Sequence, residues 1–169
     1  SEKLIAVYTR RAAIKPIIFR FFNVYGPGQN MNNMKQGMVS IYLSYLMQDR
    51  AIEVKGGLDR FRDFVFIEDL IDAVIKSEDV PDACHEVFNL GTGIKTTVGD
   101  LLTASLAVYH KGDFNRWVKI GKSTPGDVRG FCADTSKIRK TLGWVPRHNL
   151  PEGLREMKKW LDQTKEWWL

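Results

Sequence analysis

Apolar residues in this chain fall into short runs divided by glycine and polar turns, and the runs alternate with stretches of helical spacing. Pro16-Ile17-Ile18-Phe19 opens a strand predicted over Ile17–Phe22, of the continuous apolar kind that a doubly covered parallel sheet requires. A loop, Asn23–Asn33, follows it, with Gly26-Pro27-Gly28-Gln29-Asn30 as turn formers. Further strands are predicted at Ala51–Val54, closed by Gly56-Gly57, at Phe64–Ile67, at Val87–Leu90, ended by Gly91-Thr92-Gly93, and at Trp117–Ile120. Glu2–Ala13 reads as a helix lacking a capped start, with Leu4, Ile5, Val7 and Tyr8 on its apolar side. Met38–Met47 is a second helix with Val39, Tyr42, Leu43 and Leu46 on one stripe. Glu68 and Asp69 open a helix over Leu70–Lys76, where the helix dipole favours carboxylates, and Thr97 can cap another over Val98–Tyr109. A helix from Asp134 or Ser136 stops at Gly143, Leu154–Leu161 is amphipathic, and Trp167-Trp168 lie at the end.

This alternation predicts an α/β fold. Several strands are too short for one large sheet, so the expected architecture is a partial Rossmann-type parallel sheet with a smaller mixed α/β lobe. Residues 1–169 show neither an internal repeat nor a low-complexity linker, and one unit is expected.

At 44% hydrophobic and 27% charged the composition is that of an ordinary folded domain. No apolar run approaches a membrane span and no secretory leader is visible, so a cytoplasmic protein without a membrane partner is expected. Cys84 and Cys132 have no CxxC spacing, which argues against zinc and predicts two buried thiols and no metal site. The net charge of +5 raises nucleic-acid binding, yet the basic residues are scattered and adjacent pairs such as Arg10-Arg11 and Lys158-Lys159 are isolated. A modest basic excess also suits an enzyme of diphosphate-bearing substrates.

The chemistry concentrates at the carboxyl end of the first strand, where Asn23, Tyr25, Gly26 and Gln29 gather; in open α/β sheets that end is the ligand-facing one. An asparagine amide there can bond a phosphate oxygen and a sugar hydroxyl, or it can pin its own turn. Phe21 and Phe22 need no ligand to explain them and read as core. Arg62 offers a planar fork for phosphate, or else a surface ion pair with Asp63 or Glu68.

Arg20-Phe21-Phe22-Asn23-Val24-Tyr25-Gly26-Pro27 resembles the R-x-FN-x-YGP signature of the extended short-chain dehydrogenase/reductase family, the NAD(P)-dependent nucleotide-sugar epimerases and dehydratases. Arg62 to Asp69 is similar to its RDFVxVxD segment, and Phe88 to Gly93 to its FNxGxG turn. Pro125-Gly126-Asp127 with Ala133 to Lys137 resembles its GD and D-x-SK stretch, and Leu142 to Pro146 its LGWxP. Five motifs in the family's order cover nearly the whole chain.

The resemblance implies a nucleoside-diphosphate sugar as ligand, with Asn23 on the substrate and Arg62, or nearby Arg60, on the diphosphate. Phe21 and Phe22 would lie beside the nicotinamide. Gly37-Met38 and Glu53-Val54-Lys55 would hold the nucleobase, although Lys55 departs from the apolar residue common there. Phe131 would gate the sugar, its ring arguing for a small one. Thr124 stands where the family often has a second phosphate-binding arginine, a role that Lys122 or Arg129 could assume.

Neither GxxGxxG nor YxxxK occurs, and Ser1-Glu2-Lys3-Leu4 resembles the part of the catalytic helix just after its lysine. Without a cation to shift it, a tyrosine is a poor base at neutral pH. The expectation is a substrate-binding portion of the enzyme, with no catalytic residue of its own and inactive alone. NAD or NADP would serve the full-length family, none being bound by this chain alone. It would pair with itself or with a separate Rossmann half. A stand-alone nucleotide-sugar or sugar-phosphate binding module and a basic nucleic-acid-associated protein are the alternatives.

Overall fold

The computed structural model describes residues 2–9, 14–35, 37–122, 128–164 and 166. The helix α1 (Glu2–Thr9) leads to β1 (Ile18–Phe21) and β2 (Asn23–Tyr25), then α2 (Met38–Met47), β3 (Ile52–Lys55), β4 (Phe61–Arg62) and β5 (Phe64–Phe66). α3 (Ile67–Glu78), a 3-10 turn at Pro81–Ala83, β6 (Val87–Leu90), β7 (Thr96–Thr97) and α4 (Val98–Val108) follow. The chain continues through α5 (Phe114–Trp117), β8 (Val118–Gly121), α6 (Ser136–Leu142) and α7 (Leu150–Gln163). The expected α/β class is present.

The strands form short pairs: β1 with β6, β2 with β5 and β3 with β8 are parallel, and β4 with β7 is antiparallel. Asn23–Tyr25, expected in a loop, is a strand instead. The extended run from Ile18 changes partner at its middle: the Phe22 amide still donates to Leu90 (3.1 Å), whereas the Asn23 amide donates to Asp63 (2.9 Å). β4 and β7, at two residues each, carry no periodicity to read. α7 contains the expected Leu154–Leu161 and begins at Leu150, where Asn149 and Glu152 form a reciprocal capping box. Thr97 and Asp100 form the same box at α4. The expected helical residues 10–13 and Trp167-Trp168 lie outside the described residues.

β5 separates two cores. Phe64 and Phe66 face one built by α2, α4 and α7 around Ile52, Val54 and Val118. Val65 faces the other, where Phe88 and Leu90 pack on Leu70, Ala73, Ile138, Leu142 and Trp144. Alternate side chains of a strand point to opposite faces, so a strand with apolar layers on both sides is apolar throughout. Ile67 packs against both cores. Among the described residues, no helix is long and apolar enough to cross a membrane. Cys84 and Cys132 are half-buried free thiols, rather than the fully buried ones expected.

Candidate functional site

Where the first extended run changes partner, the chain gathers residues from three distant segments. The Phe22 ring lies 5.9 Å from that of Phe131, and the Arg62 guanidinium lies 5.0 Å from the same Phe131 ring centroid. Arg62 Nη1 donates to the Phe61 carbonyl (2.7 Å) and to that of Val128 (3.3 Å), so backbone groups orient the guanidinium. Phe131 is 46% exposed, so its ring is open to solvent. Asn23, next to Phe22, donates through Nδ2 to the Asp63 carbonyl at 3.3 Å. Its amide therefore helps to pin the chain crossing while also lining a cavity.

That cavity, about 470 Å³, is walled by Phe22, Asn23, Gln29, Asn33, Gly37 and Met38. A second, about 640 Å³, shares Gly37 and Met38 and continues past Tyr42, Glu53, Lys55 and Arg60. Gly37, at the start of α2, has φ 91°, and a Cβ there would come within 2.5 Å of both Gln29 Nε2 and Ser40 Oγ. Gln29 Oε1 is buried with no hydrogen-bond partner, a polar atom suited to a ligand donor. Burial pushes the Tyr42 hydroxyl up to about 12, so the ring serves this cavity as a neutral wall.

The structure thus brings together Phe22, Asn23, Arg62 and Phe131 on one side and Gly37, Met38 and Lys55 on the other. Phe22 is half-buried, not core. Phe21 is 54% exposed, against the core reading, and lies with Phe19, two residues back on the same strand face, away from the cluster (ring centroids 6.5 Å). Val54 turns into the core at 1% exposed, so only its backbone can face a ligand. Tyr25 and Gly26 are buried rather than ligand-facing, and a Cβ on Gly26 would sit 2.4 Å from Ile67 Cγ2. Arg60 donates to the carbonyls of Gly57 (3.0 Å) and Lys55, bracing the turn after β3. Thr124 lies outside the described residues.

Two buried carboxylates organise the surroundings. Asp63, 0% exposed and so not the surface partner expected for Arg62, receives the amides of Thr92 (2.8 Å), Gly93 (2.9 Å) and Ala133 (3.1 Å) and the Thr92 hydroxyl (2.6 Å). Asp69, expected only to complement the helix dipole, is also buried. It receives the amides of Arg147 (3.1 Å) and His148 (3.0 Å) and the His148 ring nitrogen Nδ1 (3.0 Å). A third thread joins the same helix to the segment beyond α6: Trp144 Nε1 donates to the Asp69 carbonyl (3.1 Å).

Asp63 also bears on cofactor fit. Gly91-Thr92-Gly93 ends a parallel strand in the manner of phosphate-cradling turns, but its amides already hold a carboxylate. With its amides so engaged, the Gly91–Gly93 turn does not fit a dinucleotide pyrophosphate. No group of metal-ligating side chains occurs among the described residues.

Known proteins share this architecture. Residues 1–157 match the family model described as GDP-mannose 4,6 dehydratase. The chain is 32% identical to the dTDP-L-rhamnose 4-epimerase of Burkholderia thailandensis, over 86% of this chain and 39% of that protein. It is 28% identical to the putative UDP-glucose 4-epimerase of Methanocaldococcus jannaschii, over 95% and 50%. The UDP-glucose 4-epimerase of Thermotoga maritima, solved with UDP-glucose, superposes with a TM-score of 0.87 at 27% identity, over 97% of this chain and 51% of that one. The UDP-glucuronic acid 4-epimerase of Bacillus cereus, solved with UDP-glucuronic acid and NAD, gives 0.82 at 25% identity, over 96% and 50%. The chain spans about half the length, or less, of these relatives. With the family model matched over most of its length, and with its motifs in the family's order, the chain belongs to the GDP-mannose 4,6 dehydratase family of NAD-dependent epimerases and dehydratases, within the extended short-chain dehydrogenase/reductase class.

Proposed function

We propose that this chain is the substrate-binding portion of an NAD(P)-dependent nucleotide-sugar epimerase or dehydratase, and that these residues by themselves bind the nucleotide sugar without transforming it. The observation that carries the reading is the meeting of Arg62, Phe131, Phe22 and Asn23 near two cavities that share the Gly37–Met38 wall. Arg62 takes the diphosphate, Asn23 the phosphate or sugar, Phe131 limits the sugar's bulk, and the Gly37–Met38 wall with Lys55 receives the base. The relatives solved with UDP-glucose or UDP-glucuronic acid support this ligand class.

Calorimetry with UDP-, dTDP- and GDP-sugars tests it. One series should bind, and Arg62→Ala should weaken it by about 1.5–3 kcal/mol, the value of a hydrogen bond to a charged group. Binding by none, or binding unchanged in the variant, refutes the site. With NAD and the bound sugar added, nuclear magnetic resonance should show no product over hours; turnover would overturn the inactive reading.

The same reading has no nucleic acid as the partner. The pair Lys158-Lys159 is neutralised in place, by Asp162 at 2.6 Å and Glu156 at 3.8 Å, and so makes no phosphate-binding stripe. Self-association is the expected state, because Leu4, Val7 and Tyr8 of α1 and Phe21 of β1 are all more than half exposed. A monomer in sedimentation at micromolar concentration would refute this.

A further inference from the structure

We propose that Asp63 is a positioning residue of this site, its carboxylate holding the turn after β6 and the segment at Phe131 against the strand run that carries Arg62, an assignment that rests on the nucleotide-sugar reading above. Its two carboxylate oxygens divide their work. Oδ1 accepts from the Thr92 amide (2.8 Å) and hydroxyl (2.6 Å), holding the turn after β6. Oδ2 accepts from the Gly93 amide (2.9 Å) of the same turn and from the Ala133 amide (3.1 Å) and the Cys132 thiol (3.7 Å), tying to it the residues next to Phe131. Its backbone carbonyl receives both nitrogens of Asn23, the amide at 2.9 Å and Nδ2 at 3.3 Å. Arg62 is its chain neighbour. Phe131 is thus two steps from a carboxylate in a residue that is itself 0% exposed, Arg62 is that residue's chain neighbour, and Asn23 is held by its backbone.

Only an ionised carboxylate meets this demand, because each oxygen faces at least two donors and an acceptor-only group is needed at both ends. In Asp63→Asn one end becomes an NH₂ whichever way the amide turns, and it then confronts N–H or O–H donors. Volume is conserved while half the anchor is lost. Either the turn at Thr92 or the segment at Phe131 is released.

The experiment uses the 169-residue chain with UDP-glucose, dTDP-glucose and GDP-mannose as probes, taking whichever the wild type binds. Asp69→Asn is the stability control: Asp69 is equally buried and bonded, but to Arg147 and His148, away from the Arg62 face. The second readout needs no ligand. It is the iodoacetamide alkylation rate of Cys132 relative to Cys84, followed by peptide mass spectrometry. Desolvation first, and then the Asp63 charge and hydrogen bond, hold the Cys132 thiol above its usual range, so loss of the charge should increase the reactive thiolate.

Asp63→Asn should bind on the order of ten-fold more weakly, a misalignment equal to about one charge-assisted hydrogen bond, with Cys132 alkylated several-fold faster than in wild type. Asp69→Asn should lose stability and show neither change. Thr92→Val should repeat the binding loss in part, and Thr92→Ser, which keeps the hydroxyl, should restore it. Wild-type affinity in Asp63→Asn, or an equal affinity loss in Asp69→Asn, overturns the assignment. If Asp63→Asn does not fold, equal affinities of the Thr92 variants overturn it. If the wild type binds no nucleotide sugar, the proposed function fails on its own, while an unchanged Cys132 rate still overturns the role of Asp63.

Discussion

Gly91→Ala tests how tightly the turn after β6 is built onto the buried carboxylate. A Cβ at Gly91 would lie 2.7 Å from Ala133 Cβ, 2.7 Å from Asp63 Oδ2 and 3.0 Å from Asp63 Cγ. None of these atoms is the free end of a flexible side chain: Ala133 has none, and Asp63 is held by the amides of Thr92, Gly93 and Ala133. The methyl group must push the turn away from Asp63. Overpacking of this kind costs about 1–3 kcal/mol, and weakening a hydrogen bond to the carboxylate adds about 1.5–3 kcal/mol. A loss of about 3–5 kcal/mol is expected, or roughly 6–20 °C in Tm for a chain of this size.

Two other glycines separate contact from backbone strain. Gly93 has φ +79°, which penalises any side chain, but its Cβ would meet nothing nearer than Thr135 Oγ1 at 3.3 Å. Gly93→Ala should therefore lose about 1–2 kcal/mol. Gly112 has open space around its would-be Cβ and no positive φ, so Gly112→Ala should be neutral or gain about 0.4–1 kcal/mol from the unfolded state. Urea unfolding followed by tryptophan fluorescence ranks the three, since Trp117 and Trp144 are buried. The expected order of loss is Gly91→Ala, then Gly93→Ala, then Gly112→Ala. A Gly91→Ala midpoint equal to that of Gly93→Ala, or closer to wild type, refutes the packing account.

Thr97→Ala and Asn149→Ala should each destabilise by about 1 kcal/mol in the same assay, as each removes the side-chain half of a capping box. Trp144→Phe removes the donor to the Asp69 carbonyl and leaves a gap in the second core, at a cost of about 2–4 kcal/mol that differential scanning calorimetry should register. Burial raises the hydroxyls of Tyr42, to about 12, and of Tyr25 and Tyr109 further still. Because the unfolded chain releases these protons from about pH 10 while the folded one keeps them, stability should fall as the pH rises above about 10. Alkaline titration at 295 nm should find these three rings ionising only with unfolding; their ionisation in the folded chain would contradict the burial.

Elements whose signals are local were legible in the sequence. α2 occupies Met38–Met47 as its apolar stripe predicts, β6 occupies Val87–Leu90, Thr97 caps α4, and Gly143 ends α6 in the left-handed conformation. β2 was not legible, because Asn23-Val24-Tyr25 before Gly26-Pro27-Gly28 reads as a turn, and its extended form is set by a ladder to Phe64–Phe66 far along the chain. α7 hid its first turn behind Pro151 and Gly153. The capping pattern Asn149-x-x-Glu152 was there to be read, and Gly153 has a tertiary reason: its would-be Cβ falls 2.2 Å from the Tyr25 hydroxyl oxygen.

At the site, the residue types pointed to Asn23 and Arg62 only as one reading of two, and the family resemblance supplied the rest. What it left out is the carboxylate between the strands. Asp63 beside Arg62 reads as half of a surface ion pair, and the amides that fill it come from residues 92, 93 and 133, which no local pattern connects to it. Strand alternation contained the missing clue. Arg62 and Phe64 share one face, so Asp63 shares the other with Val65, which is fully buried. A carboxylate on a buried face must find several donors or stay neutral, and the glycine turn at Gly91-Thr92-Gly93 supplies two amides and a hydroxyl at the carboxyl end of the neighbouring strand system. The anion that this turn cradles therefore belongs to the protein itself, and the phosphate-binding role proposed above falls to a side chain on the opposite face, Arg62.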